Sequence, residues 1–114
     1  MNRGDIYRTN ERAAERGDKP GYYLVVSRQF IVENDDVSTV VCAPVYGEVL
    51  GIATELVVGP AAGLPRTCAV RCDFLALMFK HRLSRFIGAL PPGRLHDLDR
   101  ALALALDLRL SPRT

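Results

Sequence analysis

The chain has 114 residues, 48% hydrophobic and 25% charged, with 15 Lys+Arg against 13 Asp+Glu and a net charge of +2. That length fits one domain, residues 1–114, around one core, and the composition is that of an ordinary globular protein. The charge is too slight to establish a polyanionic partner, and no run approaches the ~20 apolar residues of a membrane-spanning helix.

The first segment, "RGDIYR", reads as a short strand opened by Gly4. "TNERAAERGDKPG" is polar and closes on Gly17, Pro20 and Gly21, so it reads as a loop with room for a helical turn over Glu11 to Arg16. "YYLVVSRQF" has the aromatic and β-branched character of a core strand. After the turn "ENDD", "VSTVVCAPV" reads as a second core strand whose pairing should end at Pro44. "GEVLG" is a flexible connection, "IATELVV" a strand and "GPAAGLP" a loop. "RTCAVRCDFLALMF" is the longest strand candidate. "KHRL" makes a sharp turn, and "SRFIGAL" is a further strand. Pro91 and Pro92 stop it, and Pro92 suits the first turn of a helix. From there Leu95, Leu98, Leu102, Ala105 and Leu106 recur at three and four, with Leu104 and Leu108 widening the stripe. The expected architecture is mainly β with a terminal α-helix: a small, partly open antiparallel barrel, SH3-like, with the helix packed against it.

Within the long strand candidate, "AVRCDFL" sets Arg71 and Asp73 two positions apart. With a side-chain period of two, these share one face and Val70, Cys72 and Phe74 the other. The plain reading is an exposed ion pair on a half-buried strand; the functional reading is an acid and a base held side by side over a substrate. Between Arg66 and Arg94 the cations Arg66, Arg71, Lys80, Arg82, Arg85 and Arg94 stand against Asp73 alone, a potential local field for a polyanion. Cys42, Cys68 and Cys72 are expected as reduced, buried thiols of a cytoplasmic protein, since no signal-like segment opens the chain and Cys68 and Cys72 lie too far apart on one strand to bridge. No cluster has metal-ligand spacing, so no metal or other cofactor is expected. His81 and His96 read as surface or structural residues.

The order of these pieces resembles the MazF/PemK family of toxin endoribonucleases, over nearly the whole length. "RGDIYR" is similar to the usual opening, and "KPGYYLVVSRQ" to a cation, proline, apolar-strand and serine stretch. "STVVCAPV" resembles the strand leading to the proline before the active-site loop. "GLPRTCAVRCDFLALMFKHRLSRFIGAL" and "LHDLDRALALALDL" parallel the later strands and the closing helix. The resemblance implies a CcdB/PemK-like barrel, a homodimer, cleavage of single-stranded RNA without a metal, and neutralisation by an antitoxin with an acidic, disordered C-terminal segment. Kid-like members carry their acid and base in a valine-arginine-cysteine-aspartate motif, here Val70, Arg71, Cys72 and Asp73. By that resemblance Asp73 accepts the proton of the RNA 2′-hydroxyl and Arg71 stabilises or protonates the leaving 5′-oxygen, giving 2′,3′-cyclic phosphate and 5′-hydroxyl ends; the very high pKa of a guanidinium favours charge stabilisation over proton donation.

Other members place an arginine before the proline-apolar strand and a threonine after the next proline; aligned from Ser27, those positions are Gly21 and Tyr46. Lys19, Arg28, Tyr46, Glu48 and Lys80 are the expected RNA contacts. Each has a plainer reading, as a solvated loop residue, a strand-end cation or a rim packing group. Two alternatives stand beside the nuclease. One is a catalytically diverged member that binds RNA or antitoxin; the other is a CcdB-like, gyrase-directed toxin, which the absence of tryptophan and the ending "SPRT" disfavour.

Overall fold

The computed structural model describes residues 1–9 and 21–109. Lys19 and the helical turn expected over Glu11 to Arg16 lie outside these. Among the described residues, β1 (Asp5–Arg8), β2 (Tyr22–Val25), β3 (Thr39–Tyr46), β4 (Glu55–Val58), β5 (Cys68–Arg71), β6 (Ala76–Phe79) and β7 (Arg85–Ala89) form one antiparallel sheet. Its order is β4-β5-β3-β2-β1-β7, and β6 pairs with β3 beside β5. A short helix, α1 (Gln29–Val32), follows β2, and α2 (Leu95–Ala105) closes the chain. The expected mainly β, half-open barrel with a C-terminal helix is the observed one.

The central strands are buried on both faces, in strict alternation. Leu24, Ala43 and Val45 join Ile6, Val70 and Leu98 in the core under α2. Tyr23, Val25, Val40 and Cys42 point the other way and pack with Val32 of α1 and with Leu83. A strand covered on both sides has no polar face, which explains the near-continuous apolar runs in "YYLVV" and "TVVCAPV". Arg3 ties α2 to the sheet: its Nε donates to the Val26 carbonyl at 3.0 Å and its Nη2 to Asp99 at 2.8 Å.

Three boundaries depart from the sequence expectation. The strand expected over Tyr22 to Phe30 ends at Val25, because Val26 and Ser27 both donate to the Val41 carbonyl while the Ser27 hydroxyl accepts the Val41 N–H at 2.7 Å. That local exchange turns the chain into α1. The apolar stripe of α2 is narrower than its spacing suggests: Leu98, Ala101 and Ala103 are buried, whereas Leu104 is 55% exposed. Leu106 and Leu108 lie past the last helical turn and are exposed too, where Asp107 takes a left-handed φ of 56°.

The third departure shapes the site. The strand expected from Arg66 to Phe79 is two strands with a turn between them. Pro44 does not end β3, which continues to Tyr46 and still pairs with β2, Pro44 opposite Tyr23. Its effect falls on the other edge. Val41 uses its carbonyl toward β2, so by alternation the backbone of Pro44 faces β5 and β6. A proline has no N–H to give there. The ladder breaks at that point: Val45 pairs with Val70 and Cys42 with Ala76, so five residues, Arg71 to Leu75, stand opposite two. The surplus leaves the sheet as a turn.

The packing of α2 predicts a sharp contrast along one helix. Leu98→Ala should cost about 3 kcal/mol in urea denaturation, as for other fully buried leucines. Leu104→Ala should stay within about 0.5 kcal/mol of the parent.

Candidate active site

The turn that leaves the sheet is closed by the Phe74 N–H donating to the Arg71 carbonyl at 3.2 Å, with the Cys72 N–H anchored on the Thr54 carbonyl at 3.1 Å. Arg71 is the last residue of β5, and Asp73 lies inside the turn. Their side chains meet in a two-pronged ion pair: Arg71 Nε donates to Asp73 Oδ1 at 2.9 Å and Nη2 to Oδ2 at 2.8 Å. The expected neighbours are therefore together, through a β-turn rather than one continuous strand face. Phe74, expected beside Val70 and Cys72, is instead 49% exposed, while those two are fully buried.

Charge-assisted forks of this geometry are strong and planar. The hydrogen bonds from Arg71 hold the Asp73 carboxyl below the usual carboxylate range, and the same bonds raise Arg71 further above its already high value. Both groups stay charged through the neutral range. Burial pushes the Cys72 thiol up to about 11, with the Asp73 charge adding to it. A thiol held protonated is a poor nucleophile, so Cys72 serves as core.

Glu55 pairs across the sheet with Arg71. Its carboxylate accepts the backbone N–H groups of Leu50, Gly51 and Ile52, at distances from 2.7 to 3.2 Å. Burial works to raise its pKa, but those three donors and the nearby Arg71 charge outweigh it and hold the group low. Three converging N–H groups form an anion-binding concavity, and here the chain's own carboxylate fills it. Glu55 thus fixes the loop after β3 against the Arg71 turn.

Between that loop and the turn lies an open cavity of about 550 Å³. The end of β3 and its loop contribute Tyr46, Gly47, Glu48 and Leu50; the bend before β5 contributes Arg66, the last residue of β5 Arg71, and the turn Phe74. Of the expected RNA contacts, Tyr46 and Glu48 line this cavity. The structure does not bring Lys80 or Arg28 to it. Lys80 Nζ donates to the carbonyls of Ile31 and Asn34, at 2.7 and 2.8 Å, closing the end of α1. It sits beside the Thr39 end of β3, about 23 Å of strand from Tyr46. Arg28 precedes α1, with its guanidinium 5.8 Å from the Phe30 ring centre. Nor is the basic run uniform, because Arg94 is engaged by Asp97 and by the Val57 carbonyl. Sequence reasoning missed Glu55 and Phe74 as site residues and counted Arg66 only within the basic run from Arg66 to Arg94. The cross-strand register that aligns Glu55 with Arg71 cannot be read from spacing, but Arg66 stands at the head of the basic run.

The half-barrel that carries this arrangement has counterparts among known proteins. The family described as PemK-like, MazF-like toxin of type II toxin-antitoxin system matches residues 2–106. The chain belongs to the PemK/MazF toxin family. No curated protein matches it in sequence. Among solved structures, the Mycobacterium tuberculosis toxin MazF-mt6 superposes with a TM-score of 0.80 at 26% identity, covering 93% of this chain and 99% of that one. An endoribonuclease from a Mycobacterial species gives 0.76 at 25% identity, covering 97% and 95%. A Mycobacterial endoribonuclease solved with its cognate antitoxin shares the fold, at 0.80 and 24% identity over 97% and 99%. No helix among the described residues is long and apolar enough to cross a membrane.

In this PemK/MazF toxin the lowered carboxylates of Asp73 and Glu55 give a pH signature. A group whose folded pKa is depressed adds stability above its unfolded pKa and loses it as pH falls through the folded value. Unfolding free energy should therefore decline below about pH 4, the ordinary carboxylate range. Asp73→Asn and Glu55→Gln should each flatten that decline in urea titrations run across acid pH. At neutral pH Asp73→Asn should cost no more than about 1 kcal/mol, the usual worth of a partly exposed pair.

Proposed function

We propose that this toxin is an endoribonuclease that cuts single-stranded RNA without a metal, using Arg71 and Asp73. The observation that carries the reading is the forked Arg71–Asp73 pair at the rim of an open cavity, within a family of toxins whose similar structures include proteins named endoribonuclease. RNA brings its own nucleophile, so the protein's task is to position it and to stabilise charge. The 2′-oxygen attacks the adjacent phosphorus, its proton passes to the Asp73 carboxylate, and the bond from phosphorus to the 5′-oxygen breaks. The products are a 2′,3′-cyclic phosphate and a 5′-hydroxyl. Arg71 stabilises the negative charge that grows on the phosphoryl oxygens. Its proton is held too tightly to be given up, so the leaving oxygen is protonated by water or by the newly formed Asp73 acid.

The fork adds a condition. While Arg71 occupies both oxygens of Asp73, the carboxylate is too weak a base and the guanidinium is neutralised. An arriving phosphate competes for Arg71, and that exchange frees Asp73 to take a proton. Phosphate binding and base activation become one event. Tyr46 and Glu48 contact the RNA along the cavity wall, and exposed apolar groups such as Phe74 offer a face on which an unstacked base can lie. The toxin acts in the cytoplasm as a homodimer and is blocked by a cognate antitoxin whose acidic tail occupies the same cationic cavity.

The reading is tested with purified protein, single-stranded RNA and EDTA, with the product ends analysed. Cleavage leaving cyclic phosphate and 5′-hydroxyl ends is expected, and Arg71→Ala and Asp73→Ala should each lower it by about a hundredfold or more while remaining folded. If the parent protein leaves RNA intact and its expression does not arrest growth, the chain is a binding module instead.

A further inference from the structure

The cavity holds two guanidinium groups in different states. Arg71 is occupied by Asp73. Arg66 is exposed and makes no ion pair among the described residues. Its guanidinium lies across the backbone of Gly47. A Cβ built at Gly47 would run into Arg66 Nη2, with Cζ at 3.1 Å and Nε at 3.4 Å. The Nη2 edge of the group therefore takes the space that a side chain at that position would fill. Gly47 has no left-handed φ, unlike Gly4, Gly51 and Gly63. Backbone conformation thus does not require glycine at this position; a larger side chain there would instead displace the Arg66 guanidinium from where it lies.

We propose that Arg66, seated on Gly47, is the cavity's resting phosphate anchor, the cation that first holds the RNA backbone and presents the next phosphate to Arg71. This rests on the cavity being the RNA site. A guanidinium recognises phosphate with a fixed fork of donors, and one already free of a carboxylate has no internal competitor to displace. Arg71 must exchange partners before it can hold an anion, whereas Arg66 need not. The division of labour follows from the pairing of the two side chains: Arg66 binds, and Arg71 acts at the reacting phosphate. The end of β3 at Tyr46 and Gly47 thus carries a device of its own, a small residue that admits an arginine from the bend before β5.

The test separates binding from cutting. Binding of a short fluorescein-labelled single strand with 2′-O-methyl groups, which has no nucleophile, is followed by anisotropy over a salt series. Arg66→Ala should weaken it about tenfold or more, and the slope of log affinity against log salt should shrink by about 0.7, the share of a single neutralised phosphate. Arg66→Lys should recover part of the affinity. Gly47→Val, which keeps Arg66 but removes its seat, should reproduce the loss and add little to Arg66→Ala in the double variant. On cleavable RNA, Arg66→Ala should raise KM with little change in kcat. The inference is overturned if Arg66→Ala binds like the parent, or if Gly47→Val binds tightly while Arg66→Ala does not. Binding that depends on Arg66 in a protein that never cuts RNA would sink the nuclease reading and leave this one standing.

Discussion

Two parallel hydrogen bonds between Arg71 and Asp73 set the state in which this site rests. They keep a carboxylate ionised and a guanidinium occupied at the edge of an open cavity. A pair of this kind on a protein surface adds little to stability. In the function proposed above its value lies in chemistry: two opposite charges held against each other until the ligand separates them.

The scaffold produces that pair through an omission. Pro44 lacks the one N–H that would extend the ladder between β3 and β5, and five residues accumulate opposite two. The surplus becomes the turn that folds Asp73 back onto Arg71. Around it, Glu55 gathers three backbone N–H groups and holds the facing loop in place, and Gly47 leaves room for Arg66. Each device is local, but all rest on β3, whose burial on both faces by α1 and α2 leaves it little freedom to shift. The gap in the ladder places Arg71 and Asp73 at a turn that is pinned by the Cys72 N–H on the Thr54 carbonyl and the Phe74 N–H on the Arg71 carbonyl.

The fold is legible in the sequence because the order of short apolar segments, turns and a closing amphipathic helix has few physical solutions. Arg71 and Asp73 are conspicuous there too, as charges inside an apolar run. The path between them is not legible: hydrophobicity continues with little interruption from Cys68 to Phe79, and a period-two pattern is blind to a gap in the ladder. Pro44 is recognisable as disruptive, but which edge it disrupts depends on register. Lys80 looks like one cation among several in a basic stretch; only the fold shows its ammonium closing α1. Glu55 and Arg66 cannot be ranked from sequence because their partners, Arg71 across the sheet and Gly47 across the cavity, are distant along the chain.

Family membership and the similar toxins supply the frame, and the residues in this chain supply its particular form: one guanidinium held in reserve by Asp73 and another waiting over Gly47. The exchange of Arg71 from carboxylate to phosphate is the central claim. It is tested most directly by following the Asp73 side-chain carboxyl with carbon-13 NMR through an acid titration, alone and with a non-cleavable single strand bound. A midpoint below the ordinary carboxylate range is expected in the free protein, with a clear rise when the strand binds. An ordinary midpoint in the free protein, or one that does not move on binding, would contradict it.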